Sequence, residues 1–217
     1  MIFRVLYLLF RTPLCLLLGV RVRGRENVPK GGFLLAANHT SMLDVVVLYG
    51  FLWRRIRFMA KKEIFRAKPG AWFFRKMGAF PVDRGGNDVG AIRTAIRLLK
   101  EGEVVCVFPE GTRHSGEDPR NSAVFGGIGM MAYRAGATVL PVCIKAEDNH
   151  VRFFHRTEVI IGKPIPPAEL GVEKGGSAEY RRAAERVFSV ICSLGDKNET
   201  TKETVTIQST EESGTVK

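Results

Sequence analysis

The heptapeptide Asn38-His39-Thr40-Ser41-Met42-Leu43-Asp44 carries a histidine and, five residues later, a carboxylate. The histidine follows a short apolar run and the acid falls in the first turn of the helix expected next, so the carboxylate can reach back to the imidazole. Histidine is the side chain whose ordinary pKa is best placed to take a proton near neutrality. An acceptor on its other ring nitrogen fixes the tautomer and balances the imidazolium, the logic of the His-Asp half of a triad. A second reading fits the same residues: Ser41-x-x-Asp44 is also a capping box, with Asp where Glu or Gln is commoner.

Two more segments, Gly78-Ala79-Phe80-Pro81-Val82-Asp83-Arg84 and Phe108-Pro109-Glu110-Gly111-Thr112-Arg113, each end an expected strand with an arginine in a loop. The guanidinium fork matches phosphate oxygens, and ligands of open α/β sheets gather at strand ends. Singly, each arginine reads more readily as a solvated surface charge. Between these sites, residues 54–76 hold nine basic residues and one acid, interleaved with Phe58, Phe65, Trp72, Phe73 and Phe74. Such mixing suits RNA or an anionic bilayer, where bases meet headgroups and aromatic rings sit at the interface. A G-x-S-x-G nucleophile elbow is absent, and no cysteine lies beside His39 in sequence.

The elements that must position these residues alternate. Strands are expected over 20–25, 33–37, 56–60, 103–108, 138–144 and within 151–161, and helices over 41–53, 87–100, 128–134 and 180–194. Strands alternating with helices indicate an α/β domain, and 217 residues suffice for one such domain with a substantial core. Residues 1–20 are apolar but interrupted by Arg4, Arg11 and Pro13, too broken for a clean span or a secretory signal. Arg4 and Arg11 share a helical side, which suits a segment lying in the membrane interface; a buried N-terminal helix of the core is the other reading. From residue 196 onward polar residues dominate without periodicity, so 196–217 reads as a disordered tail and 21–195 as the folded domain.

Lys and Arg number 33 against 22 Asp and Glu, a net charge of +11. The tail holds three lysines against five acids, so the basic excess belongs to the domain and points to an anionic partner. The four cysteines, Cys15, Cys106, Cys143 and Cys192, lack any spacing suited to zinc or a disulfide framework. Cys106 and Cys143 stand in apolar strand-like runs and read as small hydrophobes, consistent with a reducing compartment.

Taken together, these blocks resemble the glycerolipid acyltransferase family, and within it the 1-acyl-glycerol-3-phosphate acyltransferases. N-H-x-x-x-x-D is met by Asn38, His39 and Asp44, G-x-F-x-x-x-R by Gly78, Phe80 and Arg84, F-P-E-G-T-R by residues 108–113, and a late proline motif by Leu140-Pro141-Val142. One departure is that Phe125 is followed by Gly126-Gly127, where members often carry a base. The resemblance implies a single α/β domain whose mixed sheet is flanked by helices. It also implies acyl transfer from acyl-CoA or an acyl-carrier protein to the 2-hydroxyl of lysophosphatidate, with His39 as general base and Asp44 orienting it. It would set Arg84 and Arg113 on the acceptor phosphate, with Glu110, Gly111 and Thr112 shaping the loop, Glu110 holding the glycerol or Arg113, and Lys61 touching phosphate or membrane. No metal or cofactor and no nucleic acid are expected, and the implied location is the cytoplasmic face of the cell membrane, peripheral or monotopic. Two alternatives stay open here: an acyltransferase for another lysophospholipid, and a non-enzymatic basic protein binding membrane or RNA.

Overall fold

The computed structural model describes residues 13, 15–52, 54–66, 68–82 and 89–211, with backbone alone at 68–70, 73 and 197–211. Its strands are β1 (Val20–Arg23), β2 (Phe33–Ala37), β3 (Ile56–Lys61), β4 (Ala79–Val82), β5 (Val104–Val107), β6 (Val139–Ala146) and β7 (Thr157–Ile161). Between and after them come α1 (Asp44–Phe51), α2 (Lys68–Lys76), α3 (Val89–Lys100), α4 (Gly127–Ala135) and α5 (Ser177–Glu211). The strands form one sheet in the order β1-β7-β6-β2-β5-β3-β4. Neighbours pair in parallel except β6 with β7, which run antiparallel. The result is the single α/β domain with a mixed, helix-flanked sheet that the sequence leads one to expect.

Both faces of the sheet are covered, which is why β2, Phe33-Leu-Leu-Ala-Ala37, is apolar throughout and wholly buried. Its alternate residues serve two cores. Leu34 and Ala36 join Leu98, Leu99, Ile128, Met131 and Val187 on the face covered by α3, α4 and α5. Phe33, Leu35 and Ala37 join Val47, Leu48 and Phe51 of α1 on the other. Helix α3 faces its core with Ala91, Ala95, Leu98 and Leu99, one stripe at helical spacing. Cys106 and Cys143 are buried free thiols in opposite cores, packing as small hydrophobes.

Parallel β2, β3, β5 and β6 all end at one edge of the sheet, and the turns after them carry the chemistry-bearing segments. Because β7 is antiparallel to β6, with Ala146 opposite Thr157, and β1 starts level with β7, with Val20 opposite Thr157, the N-terminal segment enters at this same edge.

Several expectations shift. Helix α1 begins at Asp44 and not at 41, because 41–43 form the turn that precedes it. Helix α2 lies in the basic-aromatic stretch, where Pro69 and Gly70 mask it; proline is tolerated in a first turn, where its missing N–H has no partner to lose. Part of that stretch is internal scaffolding: Arg54 donates to the Lys30 carbonyl at 2.9 Å, and Arg57 pairs with Glu103 at 3.4 Å. The last helix continues to Glu211, past the expected tail boundary at 196, since extending a nucleated helix costs far less than starting one. Residues 1–12, most of the expected interface segment, lie outside the described residues, as do Arg84 and Trp53. Among the described residues, no helix is long and apolar enough to cross a membrane.

Candidate active site

Strand β2 delivers Asn38 and His39 to the carboxyl edge. The Asn38 amide works there as a piece of sheet: its Nδ2 donates to the Ile144 carbonyl at 2.9 Å and its Oδ1 accepts from the Ile144 N–H at 2.7 Å. A side chain thereby continues the β2–β6 ladder past the last strand residue and pins the turn into His39. The sequence quotes Asn38 in its motif without disclosing this role, because the partner lies 106 positions away.

The His39 ring, 6% exposed, points its Nδ1 at Asp44 Oδ2, 2.8 Å away, and Asp44 has no exposed surface. A carboxylate only accepts, so Nδ1 carries the hydrogen, and in the neutral ring that leaves the lone pair on Nε2. The ring lies flat on Phe108, with centroids 3.8 Å apart and planes 12° from parallel. The pairing and the stack together fix both the direction and the plane of the imidazole. Asp44 Oδ2 also accepts from the backbone N–H of Thr40 at 2.7 Å and of Ser41 at 2.8 Å, and the Thr40 hydroxyl donates to Oδ1 at 3.3 Å. The bond to the Ser41 amide is half of a capping box, and Ser41 Oγ accepts from the Leu43 N–H at 3.2 Å. The carboxylate therefore orders the turn that holds His39 and orients the ring, but it does not complete a capping box: α1 starts at Asp44 with Leu43 as its N-cap and no side-chain cap bond.

The loop after β5 grips His39 through its main chain. Glu110 Oε2 accepts the His39 N–H at 2.6 Å, and the His114 N–H donates to the His39 carbonyl at 2.9 Å. Glu110 is 1% exposed, and burial raises its carboxyl to about 7 against the opposing pull of the His39 amide. The Ser122 hydroxyl donates to its Oε1 at 3.4 Å. Glu110 thus holds the histidine's backbone; among the described residues it forms no ion pair with Arg113, contrary to one of the roles expected for it. Gly111 adopts φ 68°, and a Cβ there would stand 2.9 Å from the Phe125 ring, so the loop needs glycine twice over.

Thr112 and Arg113 are exposed on the rim, between Gly111 and the His114 amide that bonds His39. Lys61 ends β3 at the same edge, 54% exposed and 4.0 Å from Glu63. It stands beside Val82, the strand partner just ahead of the undescribed Asp83-Arg84. The base missing after Phe125 has a packing reason. At Gly126, which follows Phe125, a Cβ would lie 3.2 Å from the Arg181 nitrogen, so α5 would have to give by a few tenths of an ångström to admit a side chain; at Gly129 a Cβ would lie 2.3 Å from the Tyr180 carbonyl, where none fits.

The chain matches the Acyltransferase family over residues 19–145. It is 38% identical over 156 residues to the 1-acyl-sn-glycerol-3-phosphate acyltransferase of Bacillus subtilis (strain 168), covering 70% of this chain and 76% of that one. It is 34% identical to the lyso-ornithine lipid O-acyltransferase of Pseudomonas aeruginosa, covering 64% of this chain and about half, 52%, of that one. Its fold is similar to the crystal structure of the 1-acyl-sn-glycerophosphate acyltransferase PlsC from Thermotoga maritima, with a TM-score of 0.68 and 25% identity over 90% of this chain and 79% of that one.

Proposed function

The chain belongs to the acyltransferase family, and from that premise we propose that it moves a fatty acyl group from an acyl thioester, acyl-CoA or acyl-carrier protein, to the 2-hydroxyl of 1-acyl-glycerol-3-phosphate, forming phosphatidate. The observation that carries this reading is the buried His39–Asp44 pair, 2.8 Å apart, with its Nδ1 engaged and its ring clamped on Phe108 at the edge where the motif loops meet. Nε2 takes the hydroxyl proton as the oxygen attacks the thioester carbonyl. The tetrahedral intermediate then collapses, the C–S bond breaks, and the departing thiolate takes the proton back from the imidazolium, whose charge Asp44 has balanced. This is direct transfer with the acyl thioester as co-substrate and no cofactor.

Arg113 is assigned to the acceptor phosphate, with Arg84 as its expected partner and Lys61 as a further cation for phosphate or headgroup. The Pseudomonas relative, whose name gives a lyso-ornithine lipid as its acceptor, motivates a second reading in which the headgroup carries no phosphate. Incubating the purified protein with labelled lysophosphatidate, or with a phosphate-free lysolipid, and each donor separates the two. Phosphatidate formed only from the first acceptor is expected. Equal or better use of the phosphate-free acceptor overturns the assignment, and so does an Arg113→Ala variant that loses activity equally on both.

A further inference from the structure

The exposed apolar side chains of this protein are not scattered. Among the described residues nine large hydrophobic side chains stand exposed, and six of them, Leu16, Leu17, Met42, Phe125, Phe153 and Phe154, belong to the segments that meet at the catalytic edge. The most prominent pair tips the β6–β7 connection, with Phe153 44% and Phe154 84% exposed. Buried Val151 roots this connection in the α1-side core. The Phe154 N–H donates to the Leu17 carbonyl at 2.6 Å, tying the tip to the end of the apolar N-terminal segment. On its other flank the Gly116 N–H donates to the Asn149 carbonyl at 3.2 Å, and Ser115 bonds His150. Gly116 and Ser115 directly follow His114, whose N–H holds the His39 carbonyl. An unbroken run of contacts therefore joins the aromatic tip to the catalytic histidine.

We propose that the Phe153-Phe154 tip is a membrane-inserting wedge, which together with the exposed Leu16 and Leu17 side chains seats the carboxyl edge of the sheet on an anionic phospholipid bilayer. The inference rests on the proposed bilayer lipid as acceptor, since a soluble acceptor would not require the reactive edge to face lipid. Exposed aromatic rings flanked by basic residues fit the interface, where rings sit at headgroup depth and Arg and Lys meet anionic headgroups. Arg113 and Arg156 are exposed at this edge and Lys61 and Lys62 extend it across β3, while Arg152 beside the tip pairs with Asp148 at 2.9 Å and His155 with Glu147 at 2.9 Å. Phe154 holds φ 66°, a conformation a bulky side chain rarely adopts, and it presents the ring outward in that state. The edge so oriented delivers the 2-hydroxyl of a membrane-resident acceptor to His39 without extracting the lipid.

The test uses the full chain and vesicles of phosphatidylglycerol mixed with phosphatidylcholine. The variant F153S/F154N removes both rings, Asn being tolerant of the left-handed conformation. It should keep the wild-type Tm and the wild-type rate on a short-chain, monomeric lysophosphatidate, while flotation with vesicles and the rate on vesicle-embedded acceptor fall about tenfold or more, as losing aromatic burial implies. In F154W the new indole should be quenched by brominated lipid beyond the quenching of Trp53 and Trp72. Wild-type flotation by F153S/F154N, or no added quenching in F154W, overturns the proposal. It is also overturned if F154W is shielded from aqueous quencher before vesicles are added, which would place the N-terminal segment over the tip. Conversion of a dimer to a monomer by F153S/F154N overturns it as well, by assigning the tip to a second copy. If no acceptor is acylated yet F154W is still quenched by brominated lipid, the membrane-facing edge stands and the assigned acceptor falls.

Discussion

Asp44 shows why a one-atom substitution can damage two things at once. Its Oδ2 serves His39 Nδ1 and the amides of Thr40 and Ser41 together, so one carboxylate holds both the ring and the turn that carries it. Asp44→Asn cannot balance an imidazolium and can impose the wrong tautomer, so turnover should fall by several powers of ten. Weakening charge-assisted bonds to the turn should also cost about 1.5–3 kcal/mol by chemical denaturation. Because residues acting as a unit are non-additive, Asp44→Asn combined with His39→Ala should be little slower than His39→Ala alone; additive losses would dissolve the pair. Glu110 makes a separate prediction with a definite sign. Its carboxyl lies near 4.5 in the unfolded chain and at about 7 in the folded one. Between those values the folded protein keeps a proton that the unfolded chain has lost, so stability declines as pH rises through the window and levels off beyond both ends. Glu110→Gln can still accept the His39 N–H and cannot titrate. Denaturant midpoints measured from pH 4.5 to 7 should therefore slope downward in the wild type and lie flatter in the variant; equal slopes would assign the decline to other groups.

At the scale of elements, the positions of His39, Glu110 and Arg113 follow from β2 and β5 running side by side in parallel, Leu35 level with Cys106, which brings the turns after them together. This much is legible: an apolar run leading to His39 and another ending in Phe108 read as strands whose following loops hold the motif residues. What the sequence hides are contacts made by main chain or across long separations. Nothing in the spacing of Phe-Pro-Glu-Gly-Thr-Arg says that Glu110 and the His114 amide grip His39 by its backbone, or that the Phe108 ring stacks on it. Likewise, Asn38 reads as a motif letter until β6 is seen beside it. Helix α2 stays hidden because a Pro-Gly pair opens it, and a basic-aromatic stretch suggests a binding surface more readily than a helix. Asn38→Ala should orphan the buried N–H and carbonyl of Ile144, at about 1–3 kcal/mol each. It should also loosen the turn into His39, so that kcat falls even in the fraction that stays folded. Asn38→Asp keeps the acceptor but sets a buried carboxylate against the Ile144 carbonyl, so its destabilisation should be at least as large. An Asn38→Ala protein with normal kcat at low temperature would show that the ladder extension serves stability alone.

For the molecule as a whole, the question is what survives when the apolar N-terminus is removed. The described fold begins effectively at Leu18, which is 1% exposed in the α1-side core, and at Gly19, whose carbonyl accepts the Thr157 N–H at 3.3 Å. Cutting deeper, through Leu18, would open a cavity of the kind that costs about 2–5 kcal/mol. Removing only residues 1–12 leaves those contacts and the Phe154–Leu17 bond in place. The expected outcome is a protein that folds with nearly the full-length Tm yet floats poorly with anionic vesicles, its remaining attachment weakened further by salt because basic groups at the edge supply more of it. Combining the deletion with F153S/F154N should then abolish flotation, since both features contact one bilayer through one edge of the sheet. A truncated protein that floats like the full chain would remove the interface role from residues 1–12. One that precipitates and melts early would instead show the segment to be a buried helix of the core, the other reading its interrupted apolar sequence allows.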